Sequence, residues 1–159
     1  MSNKDYVLYL VMSTSCQHCV KLKTSQLPKI ESAISALGNV GFEKIELAIM
    51  GDKLPQYCPS SLSLFVKWYP TFVLTSREEI SKSKISGLPI KASVFNGDFV
   101  DNKLSYKNEF PMNDTGISDW CQREIAKYGN HLTKKKISNE TENLLPTTVC
   151  TKKYRPRNN

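Results

Sequence analysis

Tyr6-Val7-Leu8-Tyr9-Leu10-Val11-Met12 is an unbroken apolar run rich in aromatic and branched residues, closed by Ser13-Thr14-Ser15. A run of this length with no polar interruption is the pattern of a strand covered on both faces. The period changes at Cys19, after which Val20, Leu22, Leu27, Ile30, Ala33, Ile34 and Leu37 recur at helical spacing until Gly38-Asn39 supplies a stop. Pro28 lies inside this stretch, lacks an N–H and crowds the carbonyl four residues back, so a kink is expected near Gln26. A second strand is expected over 40–49, where Phe42, Ile45 and Leu47 stand among polar residues, and a loop over 51–61. Leu62, Leu64, Phe65 and Trp68 suggest a short helix that ends before Tyr69, because the residue ahead of a proline is pushed out of the helical region. Thr71-Phe72-Val73-Leu74-Thr75 reads as the next strand. Strands alternating with helices imply a β-α-β unit with a right-handed crossover.

Past Thr75 the pattern weakens. Residues Arg77 to Ser86 are polar and charged and receive no element. Asn96-Gly97, between Val94-Phe95 and Phe99-Val100, predicts a two-residue hairpin turn whose strands extend to Leu104–Tyr106. Asp114 to Ile117 reads as the start of a terminal helix with Ile117, Trp120, Cys121, Ile125 and Tyr128 on one face, stopped by Gly129-Asn130. The expected organisation is one domain over 1–129 and a basic tail over 130–159, without internal repeats.

The chain has 159 residues, 40% of them apolar, which suits a single core. Its net charge is +7, and seven basic residues against Glu140 and Glu142 place +5 of that beyond Tyr128. Such a tail reads as a solvated end or as a weak contact for an anionic partner: nucleic acid, a membrane surface or an acidic protein. The first apolar run is too short for a membrane span and lacks the small residues of a signal-peptide cleavage site. The expected location is therefore the cytoplasm, or a virion for a viral source, to which the abundance of Lys, Asn and Ser is suited. Asn113 and Asn139 match a glycosylation pattern that matters only in a secreted chain. In a reducing compartment paired cysteines point to redox or metal chemistry rather than structural bridges.

Cys16-Gln17-His18-Cys19 falls where the first strand gives way to the first helix. Backbone N–H groups and the positive end of the helix dipole stabilise a thiolate there, making Cys16 the expected nucleophile. Cys19, one turn further in, is shielded yet near enough to resolve a mixed disulfide. His18 is expected to add positive charge or a hydrogen bond beside the Cys16 thiolate, or else to face solvent without a role.

With Tyr69-Pro70-Thr71 opening a later strand, this arrangement resembles the thioredoxin superfamily. The resemblance covers Tyr6 to Thr75 and, more loosely, Val94 to Tyr128. It implies a thioredoxin-like α/β fold: a central mixed β-sheet flanked by helices, with residues 77–93 inserted after the proline strand and a basic tail. It also implies a cis Tyr69–Pro70 bond facing the dithiol, and a substrate segment paired with the backbone at Tyr69 and Pro70. The implied activity is thiol-disulfide exchange with protein cysteines, using no cofactor. Where thioredoxins proper carry Trp before the first cysteine and Gly-Pro between the two, this chain has Ser15 and Gln17-His18, and its first strand contains no acidic residue.

Two other function classes stand beside this one. A zinc site would draw on Cys16 and Cys19 with His18, Cys58 or His131, although no second close Cys or His pair exists. A non-catalytic interaction module would keep the fold and dock through the basic tail, with Trp68, Tyr69 and Trp120 as surface or core. Of the remaining cysteines, Cys121 is expected as a small buried hydrophobe, Cys58 as a passive loop residue, and Cys150 as a tail thiol.

Overall fold

The structure is a computed structural model that describes residues 4–128. The expected tail over 130–159 lies outside them, as do His131, Asn139 and Cys150. The chain divides into two units, residues 1–121 and 122–159.

Strand β1 (Tyr6–Ser13) is buried along its whole length. It runs parallel to β2 (Val40–Leu47), from Tyr6↔Val40 to Ser13↔Leu47, and antiparallel to β3 (Thr71–Ser76), from Tyr6↔Ser76 to Val11↔Thr71. The short β4 (Ser93–Val94) pairs antiparallel with β3, so the mixed sheet has the order β2-β1-β3-β4. Side chains directly opposite in neighbouring strands share a face. Val7, Tyr9 and Val11 accordingly join Ile45, Leu47, Val73 and Val94 in one apolar cluster, closed by Cys58, Leu62, Phe65 and Ile90. Alternation sends Leu8, Leu10 and Met12 to the other face with Phe72 and Leu74. There Phe72 meets Phe95 edge-on at 5.9 Å, and Phe95 meets Trp120 at 5.4 Å. An apolar residue at every position of β1 from Tyr6 to Met12 is thus what two covered faces require.

The kink expected near Gln26 is a complete break into α1 (Gln17–Ser25) and α2 (Leu27–Leu37). Pro28, in the first turn of α2, cannot donate to the Thr24 carbonyl, while Gln26 closes one helix by donating to Leu22 O and opens the next by accepting from Ile30 N. Helix α2 buries Leu27, Ile30 and Ile34. Strand β2 stops at Leu47, two residues before the expected end, where β1 turns away toward Cys16 and the ladder closes on Thr14 N donating to Leu47 O at 2.8 Å. The short helix expected around Leu62 is a 3-10 helix over Ser60–Phe65, which buries Leu62 and Phe65.

Two segments read differently from their sequence pattern. Residues 77–86, left without an element, form helix α3 (Arg77–Ser86). Its start is fixed by the Ser76 hydroxyl accepting from Glu79 N at 3.0 Å, and its end by Gly87 at φ 76°. It buries no side chain completely. The hairpin lies one turn later than expected, between β5 (Gly97–Val100) and β6 (Lys103–Tyr106), around Asp101 and Asn102 at φ 52° and 63°. Positive φ at both central residues is the geometry that matches strand twist in a two-residue turn. Asn96 is instead buried: its amide donates to Phe110 O at 2.9 Å and accepts from Glu109 N and Phe110 N at 3.2 and 2.9 Å.

Helix α4 (114–128) begins where expected. Asn113 caps it, its side-chain oxygen accepting from Gly116 N at 2.8 Å, and Ile117, Trp120 and Cys121 are buried. In the second unit Glu124 pairs with Lys127 at 3.0 Å. Among the described residues no helix is long and apolar enough to cross a membrane.

Asn96 combines a positive φ of 54° with three buried hydrogen bonds, so Asn96→Ala removes the bonds and strains the backbone together. A loss of about 2–4 kcal/mol is expected. Urea unfolding measures it, and a change under roughly 0.5 kcal/mol would refute the anchoring role.

Candidate active site

Strand β1 ends at Ser13, and the chain turns through Thr14 and Ser15 with Cys16 N donating to Ser13 O at 3.2 Å. Cys16 is the N-cap of α1, in extended conformation at φ −100° and ψ 118°. Its sulfur takes the place that a Ser or Asp oxygen fills in an ordinary cap, accepting from Cys19 N at 3.2 Å. The first turn of α1 carries no acidic residue to compete with negative charge at this position. Cys16 and Cys19 are free thiols.

Cys19 lies one turn into α1 and is almost sealed, at 2% exposure against 6% for Cys16. Ser13 N donates to its sulfur at 3.5 Å. Burial, then the hydrogen bond with Cys16 and the negative charges of Cys16 and Glu46, push the Cys19 thiol from 9.0 up to about 12, against the opposing effect of the Ser13 N–H. The two sulfurs are therefore unequal through local structure alone.

Across from the dithiol, the Tyr69–Pro70 bond is cis and Pro70 is buried. The Cys16 thiol reaches the Tyr69 carbonyl at 3.6 Å, 53 positions along the chain. This approach follows from the pairing of β1 with β3: Val11 sits opposite Thr71, so the end of one strand meets the beginning of the other. The Tyr69 hydroxyl accepts from Gly51 N at 2.9 Å, and the Thr71 hydroxyl bonds to the Trp68 carbonyl. The backbone leading to Pro70 is thereby tied to the segment that follows β2.

Of the residues singled out in the sequence, Cys16, Cys19, Tyr69 and Pro70 converge where the central strand β1 ends and β3 begins. His18 is exposed on α1 and makes no hydrogen bond or ion pair among the described residues. Cys58 lies in a loop, as expected, and is buried in the core cluster around Val7, Tyr9 and Val11, where burial and then Glu43 raise its thiol. Among the described residues no three of His, Cys, Asp and Glu stand together as metal ligands.

Sequence reasoning missed Glu46. The strand register puts it opposite Met12, and Lys23, one turn after Cys19 on α1, holds its carboxylate at 2.8 Å. The available signal was the i, i+4 spacing of Cys19 and Lys23, which places them on one helix face. Tyr69's bond to Gly51 left no signal, since it joins two loops.

Cys19 has consequences at alkaline pH. In the unfolded chain its thiol loses a proton from about pH 9, whereas in the folded chain it keeps it until about pH 12. Over that window the unfolded state binds fewer protons, so stability that is complete below pH 9 falls as pH rises, by up to about 1.4 kcal/mol per pH unit. Tyr9, which burial and Glu43 raise from 10.0 to about 12, adds the same slope from pH 10 upward. Urea midpoints between pH 8 and 10 should decline in the wild type and decline less steeply in Cys19→Ala, where the raised Cys58 thiol still contributes; equal slopes in the two proteins would contradict this assignment.

Comparison with protein-family models, with curated proteins and with solved structures gives no significant match.

Proposed function

We propose that this protein is a thiol-disulfide oxidoreductase of thioredoxin-like arrangement that exchanges a Cys16–Cys19 dithiol with disulfides of protein substrates. The observation that carries the reading is the setting of the Cys16 sulfur: at the start of α1, it accepts the Cys19 N–H at 3.2 Å and lies 3.6 Å from the Tyr69 carbonyl.

The chemistry follows from that setting. The Cys16 thiolate attacks one sulfur of the substrate disulfide, forming an S–S bond and expelling the other substrate sulfur as a thiolate. The attacking sulfur accepts the Cys19 N–H, one of the donors left unpaired at a helix start. Cys19, protonated up to about pH 12, does not compete in this first attack. After losing its proton it attacks Cys16 Sγ, which closes the Cys16–Cys19 disulfide and releases the second substrate thiolate. Two electrons pass from the dithiol to the substrate, and the reverse sequence oxidises a substrate dithiol. An external thiol or disulfide restores the starting state, and no bound cofactor enters.

The backbone at Tyr69 supports binding of an extended substrate segment. Its carbonyl accepts from the Cys16 thiol and its N–H has no partner among the described residues, so the backbone offers a donor, and an acceptor once Cys16 has lost its proton.

Cys16→Ser should abolish turnover of a disulfide-bonded peptide, and Cys19→Ser should accumulate a mixed disulfide visible by mass spectrometry and released by dithiothreitol. Undiminished turnover by Cys16→Ser would refute the mechanism. In a chain with Cys58 and Cys121 changed to alanine and Cys150 to serine, the dithiol should titrate reversibly in glutathione buffers, at a potential between about −270 and −120 mV. Failure to form a reversible disulfide would remove the functional reading altogether.

A further inference from the structure

Beyond the four-stranded sheet the chain adds an element that the sheet does not require. The hairpin β5–β6 pairs Gly97↔Tyr106, Asp98↔Ser105, Phe99↔Leu104 and Val100↔Lys103. Alternation and cross-strand pairing put Phe99, Leu104 and Tyr106 on one face of the ribbon. That face lies over residues leading to the Tyr69–Pro70 bond: Phe99 meets Phe65 edge-on at 6.0 Å, and Tyr106 meets Trp68 at 5.4 Å. A two-stranded ribbon is marginal alone, and these contacts hold it in place.

They leave the rings half uncovered. Phe99 is 50% and Tyr106 56% exposed, although each already packs on a partner. Trp68 immediately precedes Tyr69, whose carbonyl lies 3.6 Å from the Cys16 sulfur. The Trp68–Tyr106 pair therefore adjoins, one residue along the chain, the backbone at which exchange is proposed.

Resting on the oxidoreductase reading, we propose that Phe99 and Tyr106, together with Trp68, determine substrate specificity by receiving a large apolar side chain that flanks the substrate cysteine. The preferred substrates are then protein segments in extended form that carry an aromatic or long aliphatic residue within a few positions of the reacting sulfur. Small disulfides react at Cys16 without reaching the hairpin. An extended chain is the occupant that fits, because the free N–H and the carbonyl of Tyr69 match the donors and acceptors of a strand.

The test uses the full chain and three probes: a peptide disulfide with Phe two residues from its cysteine, the same peptide with Ser there, and hydroxyethyl disulfide. The wild type should show a KM for the Phe peptide at least about tenfold below that for the Ser peptide, from the ring area still open to cover. In Phe99→Ser/Tyr106→Ser the ratio of Phe-peptide to hydroxyethyl-disulfide turnover at low substrate should fall by at least about tenfold, with the loss in KM rather than kcat. Equal KM values for the two peptides in the wild type would overturn the proposal, and this comparison decides even where the double variant folds poorly. An unchanged peptide preference in a folded double variant would overturn it as well. Absence of turnover on all three probes in the wild type would instead remove the oxidoreductase reading on which the proposal stands.

Discussion

The double pairing of β1 is the constraint on which the remaining structure depends. A strand hydrogen-bonded on both edges and covered on both faces has no solvent boundary of its own, so its neighbours set every other position. The parallel partner β2 requires a crossover, which α1 and α2 supply. The antiparallel partner β3 begins where β1 ends. That opposed direction brings Cys16, just past one strand, beside Tyr69, in the loop that leads into the other.

The same constraint explains which features were legible in the sequence. A strand buried on both faces leaves an unbroken apolar run, and the change to helical period at Cys19 marks the turn before it; β1, β3 and the place of Cys16 and Cys19 at that turn were readable for that reason. The face of α4 through Ile117, Trp120 and Cys121 was readable because it buries a helical stripe. Helix α3 has no buried stripe, so only its caps mark it, and Ser76 with Glu79 was the overlooked signal. Hairpin register failed for a different reason. Asn96-Gly97 and Asp101-Asn102 both carry turn chemistry, and the choice rests on a tertiary demand: the Asn96 amide is needed by the backbone at Glu109 and Phe110. The burial of Cys58 was not legible because loops show no period, and it is decided by the sheet face that the loop covers.

The distribution of charge near Cys19 follows from burial too. An acidic residue within β1 would be enclosed on both faces at a large desolvation cost. Glu46 stands instead on the edge strand β2, where its side chain is 37% exposed and Lys23 offsets its charge at 2.8 Å. A surface pair of this kind adds little stability. It does keep a carboxylate's field at Cys19, and that field favours the protonated thiol.

In the proposed exchange this protonation is itself conditional. Two of the influences holding the proton on Cys19, its hydrogen bond with Cys16 and the negative charge of Cys16, exist only while Cys16 is free. Once Cys16 is joined to a substrate sulfur, its charge is gone and its sulfur is a poorer hydrogen-bond partner, whereas the Ser13 N–H still donates to Cys19 at 3.5 Å and stabilises its thiolate. Burial and Glu46 continue to oppose ionisation, so the shift is partial. Its direction is what matters: Cys19 is kept from acting before a substrate is bound, and the restraint weakens when the mixed disulfide forms. Order in the two-step reaction thus arises from the placement of two sulfurs on one helical turn, without a separate switching element.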